Sequence, residues 1–170
     1  METFEAIFTR RSIREYTPQA VPDELVQELL ATAMQAPSAG NQQPWHFIVV
    51  TERKQLDALA DVLPFGKMLQ AAPLGIVVCV DLKLERYSGF WVQDCSAATQ
   101  NLLLAAHARG LGAVWVGVYP LEERVAGLKQ VLGLPEQVVP LCVVPIGYPA
   151  TRPEPPERRY DESRLHHNHW

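Results

Sequence analysis

Residues 91–109 read WVQDCSAATQNLLLAAHAR, and residues 110–119 continue GLGAVWVGVY. The first stretch is apolar nearly all round, with Ala97, Ala98, Leu102, Leu103, Leu104, Ala105 and Ala106. A helix of that kind is enclosed by other elements instead of lying on a surface. Gly110-Leu111-Gly112 stops it, and residues 113–119 read as a strand with a glycine near its end. A helix buried on all sides needs layers around it, and the flanking sequence supplies them.

Downstream, Pro120 opens a helix over residues 121–132 that Gly133 closes. Residues 138–147 then form a strand in which Pro140 and Pro145 mark unpaired ends or one unpaired edge. Upstream, residues 74–80 are apolar throughout, as a strand covered on both faces requires. Trp45, Phe47, Ile48, Val49 and Val50 form an aromatic and β-branched strand. Between these two, Thr51 caps a helix whose core face is Leu56, Leu59, Ala60 and Leu63. A helix opened by Pro22-Asp23-Glu24 carries the stripe Leu25, Leu29, Leu30 and Ala33 and ends by Pro37; an earlier one carries Phe4, Ile7 and Phe8. Helices alternating with strands suggest, taken alone, a parallel sheet.

With 170 residues, 48% apolar and 20% charged, the chain builds one globular core. Fifteen Lys and Arg against nineteen Asp and Glu give a net charge of -4, which offers a nucleic-acid backbone no attraction. No run approaches the roughly 18 apolar residues of a membrane span. The start, Met1-Glu2-Thr3, lacks the basic segment of an export signal, so a cytoplasmic protein is expected. Cys79, Cys95 and Cys142 show no metal or disulfide spacing and read as reduced, buried thiols. After Gly147 the composition changes: residues 151–156 are proline-rich and 157–170 polar, ending in Trp170. This is an extended arm, and its apolar tip needs a surface to lie on, most naturally a partner subunit.

Arg10, Arg11, Ser12 and Arg14 place three guanidinium groups and a hydroxyl within five residues. The cluster reads as an anion site or as an exposed basic turn. Arg158 and Arg159, in the arm, form a second basic pair that could close over the same anion, though neither cluster proves the other. The loop from Pro37 through Ser38, Asn41, Gln42 and Gln43 to Pro44 offers amide donors and acceptors suited to the edge of a planar heterocycle, or is an ordinary loop of turn formers. No GxGxxG or Walker fingerprint is present. His166, His167 and His169 lack carboxylate or thiolate partners at fixed spacing, so no metal site is assigned, and His46 and His107 read as packed. No nucleophile elbow or acid–base pair emerges, hence no catalytic side chain is assigned. Such a chain suits an enzyme whose reactive group is a bound cofactor.

Taken together, Arg10-Arg11-Ser12-Ile13-Arg14, the loop running from Ala36 through Pro44 into Trp45-His46-Phe47, Asn101 to Ala106, the stretch from Gly110 to Gly117, and the tail from Arg158 to Arg164 resemble the signatures of the nitroreductase family of FMN-dependent oxidoreductases. The likeness spans nearly the whole chain. It implies an α+β, three-layer fold with a mainly antiparallel central sheet flanked by helices, formed by one FMN-binding domain over residues 1–170. Residues 151–170 would be its extended C-terminal arm, packed on the partner of a homodimer.

The resemblance also implies residue roles. Arg10, Ser12 and Arg159 would hold the FMN phosphate and ribityl chain, assisted by Arg11 and Arg158, and Arg14 would point toward N1 and O2 of the ring. Pro37, Ser38 and Asn41 would reach the ring from the other subunit, the backbone at Val116 and Gly117 would face N5 and O4, and Lys67 would lie near the pyrimidine edge. The family often has a charged residue beside the N5 contact, where this chain has Gly117. NAD(P)H would reduce the flavin, and a nitroaromatic, quinone or similar flat acceptor would reoxidise it by a ping-pong mechanism. The acceptor slot would lie around Phe65 and residues 87–91. The competing readings are a relative with the same scaffold and different flavin chemistry, and an anion-binding protein without flavin.

Overall fold

The computed structural model describes residues 1–151, 153, 154, 157 and 159–170. Its strands are β1 (Trp45–Val50), β2 (Leu74–Asp81), β3 (Gly112–Ala113), β4 (Val116–Gly117) and β5 (Val138–Gly147), arranged in the order β1-β2-β5-β3 with β4 also on β5. Each of these pairings is antiparallel. The fold is therefore α+β, as the resemblance implied, and the parallel sheet suggested by alternation is wrong. Alternation counts elements; it does not say at which end of the sheet the chain re-enters.

The helices are α1 (Thr3–Thr9), α2 (Asp23–Ala33), α3 (Arg53–Val62), α4 (Trp91–Ala108) and α5 (Glu122–Leu132). Successive residues of β2 point to opposite faces, which splits the core in two. Leu74, Ile76, Val78 and Val80 pack with α2 and α4, while Val77 and Cys79 pack with α3 and α5. The result is three layers, with α4 pressed between α2 and the sheet as its all-round apolarity requires. Its Ala98, Leu102 and Ala106 are fully buried. The three cysteines are free and buried, and burial pushes the thiols of Cys79 and Cys142 up to about 12, so they are inert at neutral pH.

Of the two expectations for β5, one unpaired edge is not found, since both sides carry strands, whereas its N-terminal end around Pro140 is paired by β2 alone. Pro140 stands at the bulge with β2 between Val78 and Cys79. The expected strand over residues 113–119 is broken into β3 and β4, which keep one register against β5, so that Val114 lies across from Pro145. Pro145 has no N–H to offer there, and the ladder opens for two residues.

Two helix ends also differ from expectation. Glu52, not Thr51, is the N-cap of α3, and Leu121 separates Pro120 from the start of α5. Gly133 does close α5, in the left-handed conformation at φ 62°. Among the described residues the apolar stripe of α1 finds no cover: Phe4 is 76% and Phe8 67% exposed, and Ala6 alone is buried in that helix.

Gly112 leaves room for the N-terminal segment, since a Cβ there would sit 2.5 Å from Ile13 Cγ2 and 2.6 Å from its Cβ. Ile13 is branched at Cβ and cannot turn aside. Gly112→Ala is expected to cost about 1–3 kcal/mol, the usual penalty of overpacking, read as a lowered Tm in thermal denaturation. An unchanged Tm would mean that the segment is not held against β3.

Candidate functional site

The basic N-terminal cluster is held in place by backbone bonds. Arg10 ends α1, its N–H donating to Ala6 O at 3.1 Å. The chain then runs beside β3, where Ser12 bridges Ala113 in the parallel sense and Ile13 N–H donates to Ala113 O at 3.0 Å. The buried Tyr16 hydroxyl donates to Ile13 O at 2.6 Å and lies 3.2 Å from Pro145 O, while Thr17 N–H reaches Tyr148 O. Arg10, Arg11, Ser12 and Arg14 are thus carried along the β3 edge of the sheet on a stitched segment.

The C-terminal arm returns to this edge. Arg10's guanidinium is held below its ordinary range first by burial, then by the charges of Arg159 and Arg11. Arg159 is 149 residues from Arg10 in the chain, and the fold brings the start of its arm back to this edge through the Tyr16–Pro149 bridge and the Ala150 N–H bond to Glu15 O. Among the described residues the arginine ion pairs are Arg53–Asp57, Arg109–Glu28 and Arg164–Asp161, and none involves this group. Converging cations without a carboxylate make a receptor for an anion of high charge, such as a phosphate. Arg158 lies outside the described residues.

Beside the cluster, Arg11, Ile13, His107, Leu111 and Pro149 line a cleft of about 400 Å³. His107 Nε2 is 2.8 Å from Thr9 Oγ1, and that hydroxyl donates to Glu5 O, so Nε2 is the donor to it. Burial first, then the charge of Arg10, hold His107 below its ordinary 6.5, with Glu5 opposing. A histidine with a depressed folded pKa contributes its stability in the neutral form. That contribution is complete above the unfolded value and is lost as pH falls through the folded one. His107→Gln is expected to flatten the acid limb of Tm against pH below 6.5; the wild-type slope persisting in the variant would count against this.

From Ala113, roughly 13 Å of extended chain leads along the same edge to Gly117. A Cβ at Gly117 would meet nothing within 4 Å, so the backbone there is open to a flat ligand. Its carbonyl accepts from Arg124 Nη1 at 2.9 Å, and the Arg124 guanidinium lies over the Phe65 ring, 5.6 Å from the centroid. Lys67, exposed, follows Phe65 by two residues. Val116 is buried.

Pro37, Ser38 and Asn41 stand elsewhere. Their loop enters β1 at the end where Trp45 pairs with Val80 and Val80 with Val139, whereas Ser12 lies at the opposite end beside Ala113. Across four strand spacings, roughly 19 Å, and about seven residues or 23 Å along the strands, the two groups occupy diagonal corners of the sheet. One chain does not bring them together.

The loop is rigid on its own account. Asp94, 4% exposed on α4, accepts from Ala39 N–H at 2.9 Å and from Gln42 Nε2 at 2.6 Å. Gln42 Oε1 in turn accepts from the N–H groups of Arg86 and Tyr87, and Arg86 Nη2 donates to Gly40 O. Gly40, Asn41 and Gln43 all have positive φ, a concentration of unfavourable backbone that only such over-determination sustains. Gly40 is obligatory because a Cβ would fall 2.1 Å from Tyr87 Cε2.

Sequence reasoning missed Asp94 and Arg124. A carboxylate inside an apolar helix and a cation in the first turn of α5, against the helix dipole, were the available signals.

A model of the "Nitroreductase family" matches residues 7–73 and 61–148. A Methanothermobacter thermautotrophicus protein named, provisionally, an NADH dehydrogenase/NAD(P)H nitroreductase is 52% identical over 170 residues, 100% of this chain and 88% of its own. A crystal structure from Parabacteroides distasonis with the same provisional name superposes with a TM-score of 0.94 at 45% identity, covering 99% of this chain and 98% of the other. A provisionally named nitroreductase from Desulfovibrio desulfuricans, solved in complex with FMN, gives 0.84 at 33% identity over 99% and 98% of the two chains.

Proposed function

The chain belongs to the nitroreductase family and is a flavin-dependent NAD(P)H oxidoreductase, and from that premise we propose that its flavin is FMN, bound between the subunits of a homodimer. The observation that supports this reading is the segment Arg10–Arg14 stitched along the β3 edge with the start of the C-terminal arm bonded back beside it at Pro149 and Ala150, and, among the described residues, no carboxylate paired with Arg10, Arg11, Arg14 or Arg159. The residues fit a phosphorylated flavin: a cationic corner for the phosphate and, along the same edge, an open backbone at Gly117 for a ring.

Arg10, Ser12 and Arg159 hold the phosphate and the adjoining ribityl hydroxyls, with Arg11 and Arg158 assisting. Arg14 supplies positive charge toward N1 and O2, where a preorganised cation stabilises charge that develops on reduction. The backbone at Val116 and Gly117 faces N5 and O4, and Lys67 faces the pyrimidine edge. Pro37, Ser38 and Asn41 come from the partner, which a twofold axis permits because it sets one protomer's corner against the other's.

When bound, FMN would supply the hydride chemistry at N5 that links NAD(P)H to a nitroaromatic, quinone or similar conjugated acceptor in a ping-pong mechanism. The chain acts as one domain, its arm from residue 151 lying on the partner, and it works in the cytoplasm. The exposed Phe4, Phe8 and Trp170 supply apolar area for the dimer. Among the described residues no helix is long and apolar enough to cross a membrane, and no histidine, cysteine and carboxylate group is placed to hold a metal.

The test is optical. Purified protein is expected to show a flavin band that releases FMN on denaturation and bleaches anaerobically with NADH or NADPH. A colourless protein that does not take up added FMN would overturn the reading.

A further inference from the structure

Arg124 breaks a local rule. A cation in the first turn of a helix opposes the macrodipole, and Glu122 and Glu123 beside it follow the rule that Arg124 does not. Its guanidinium has turned to the sheet edge, one Nη1 hydrogen on Gly117 O and its plane over Phe65. Among the described residues no carboxylate pairs with it. Guanidinium carries five N–H donors, so most remain available. Phe65 is 72% exposed, a flat apolar face left in water, and the space over Gly117 is open.

A cation fixed at the rim of a flat aromatic surface fits one ligand chemistry: a conjugated ring bearing a carboxylate. The ring rests on Phe65, beyond the flavin edge at Gly117, and the carboxylate takes the unused donors of Arg124 in a charge-assisted pair. Resting on the function proposed above, we infer that Arg124 with Phe65 selects anionic aromatic electron acceptors over neutral ones of the same shape. Arg124 is a specificity-determining residue; the redox step does not pass through it.

The experiment uses FMN-loaded wild type, Arg124→Gln and Arg124→Lys. Benzoate and benzamide, unreactive stand-ins, are titrated against the flavin absorption band, and KM is measured for 4-nitrobenzoate, nitrobenzene, NADH and NADPH. In Arg124→Gln the benzoate Kd and the 4-nitrobenzoate KM are expected to rise about tenfold more than those of benzamide and nitrobenzene, as for loss of one charge-assisted contact, and this charged-to-neutral ratio is the readout. Arg124→Lys should recover part of the benzoate affinity, since the charge remains and the fork does not.

Equal losses for charged and neutral ligands would overturn the inference, leaving Arg124 only as the clamp on Gly117. A change confined to NADPH would overturn it as well, assigning the cation to the donor's phosphate. A wild-type protein that holds FMN but reduces neither acceptor would instead sink the proposed function, and this inference with it.

Discussion

Alanine at both Arg10 and Arg159 is expected to strip the protein of FMN while leaving its fold intact. Each single change removes a hydrogen bond to a charged group, about 1.5–3 kcal/mol, or roughly 10- to 150-fold in Kd. Burial lowers the pKa of Arg10 first and the charge of Arg159 second, so like charge between the two guanidinium groups also opposes their approach. Removing one therefore relieves the other, so each single loss is blunted and the double variant should lose more than the sum of the two. Titration of apoprotein with FMN, read by quenching of flavin fluorescence, checks both magnitudes. Arg164→Ala is the control, because Arg164 is engaged by Asp161 in the exposed arm. Unaltered FMN affinity in both single variants would mean that the phosphate is held elsewhere.

The second large effect is expected from ending the chain at Glu157. This removes Arg159 together with Tyr160, Leu165 and Trp170, of which Trp170 is 97% exposed. Within one protomer Trp170 stacks on His166, at 4.2 Å between ring centroids. If these three side chains lie on the partner, their loss withdraws about 1.5–3 kcal/mol apiece from the dimer. Sedimentation velocity should then show a shift toward monomer at micromolar concentration, with flavin lost in parallel. A truncated protein sedimenting as a yellow dimer would contradict the role given to the arm.

Reading the sequence located the layers better than the connections between them. The strand from Leu74 was legible because every residue in it is apolar, which only burial on both faces tolerates. The enclosed α4 was legible for the same reason. The break between β3 and β4 was not, since Pro145 lies far along the chain from Val114 and acts on it only once they are paired. Asp94 was passed over because its partners, Ala39 and Gln42, are more than fifty residues away. The cluster Arg10 to Arg14 was plain as a charge pattern, but whether those charges stayed in solvent or faced a ligand was not.

Local chemistry determined which segments are buried, where helices stop and where cation is concentrated, because periodicity, glycine and charge act over a few residues. The tertiary structure alone decided that the strands run antiparallel and that the start of the C-terminal arm lies beside the Arg10–Arg14 segment. It likewise decided that Arg124 grips Gly117, and that the loop at Asn41 occupies the far corner from Ser12. Each of these depends on the end of the sheet at which a connection returns the chain, and that is settled by the packing of whole faces, which no short window of sequence contains.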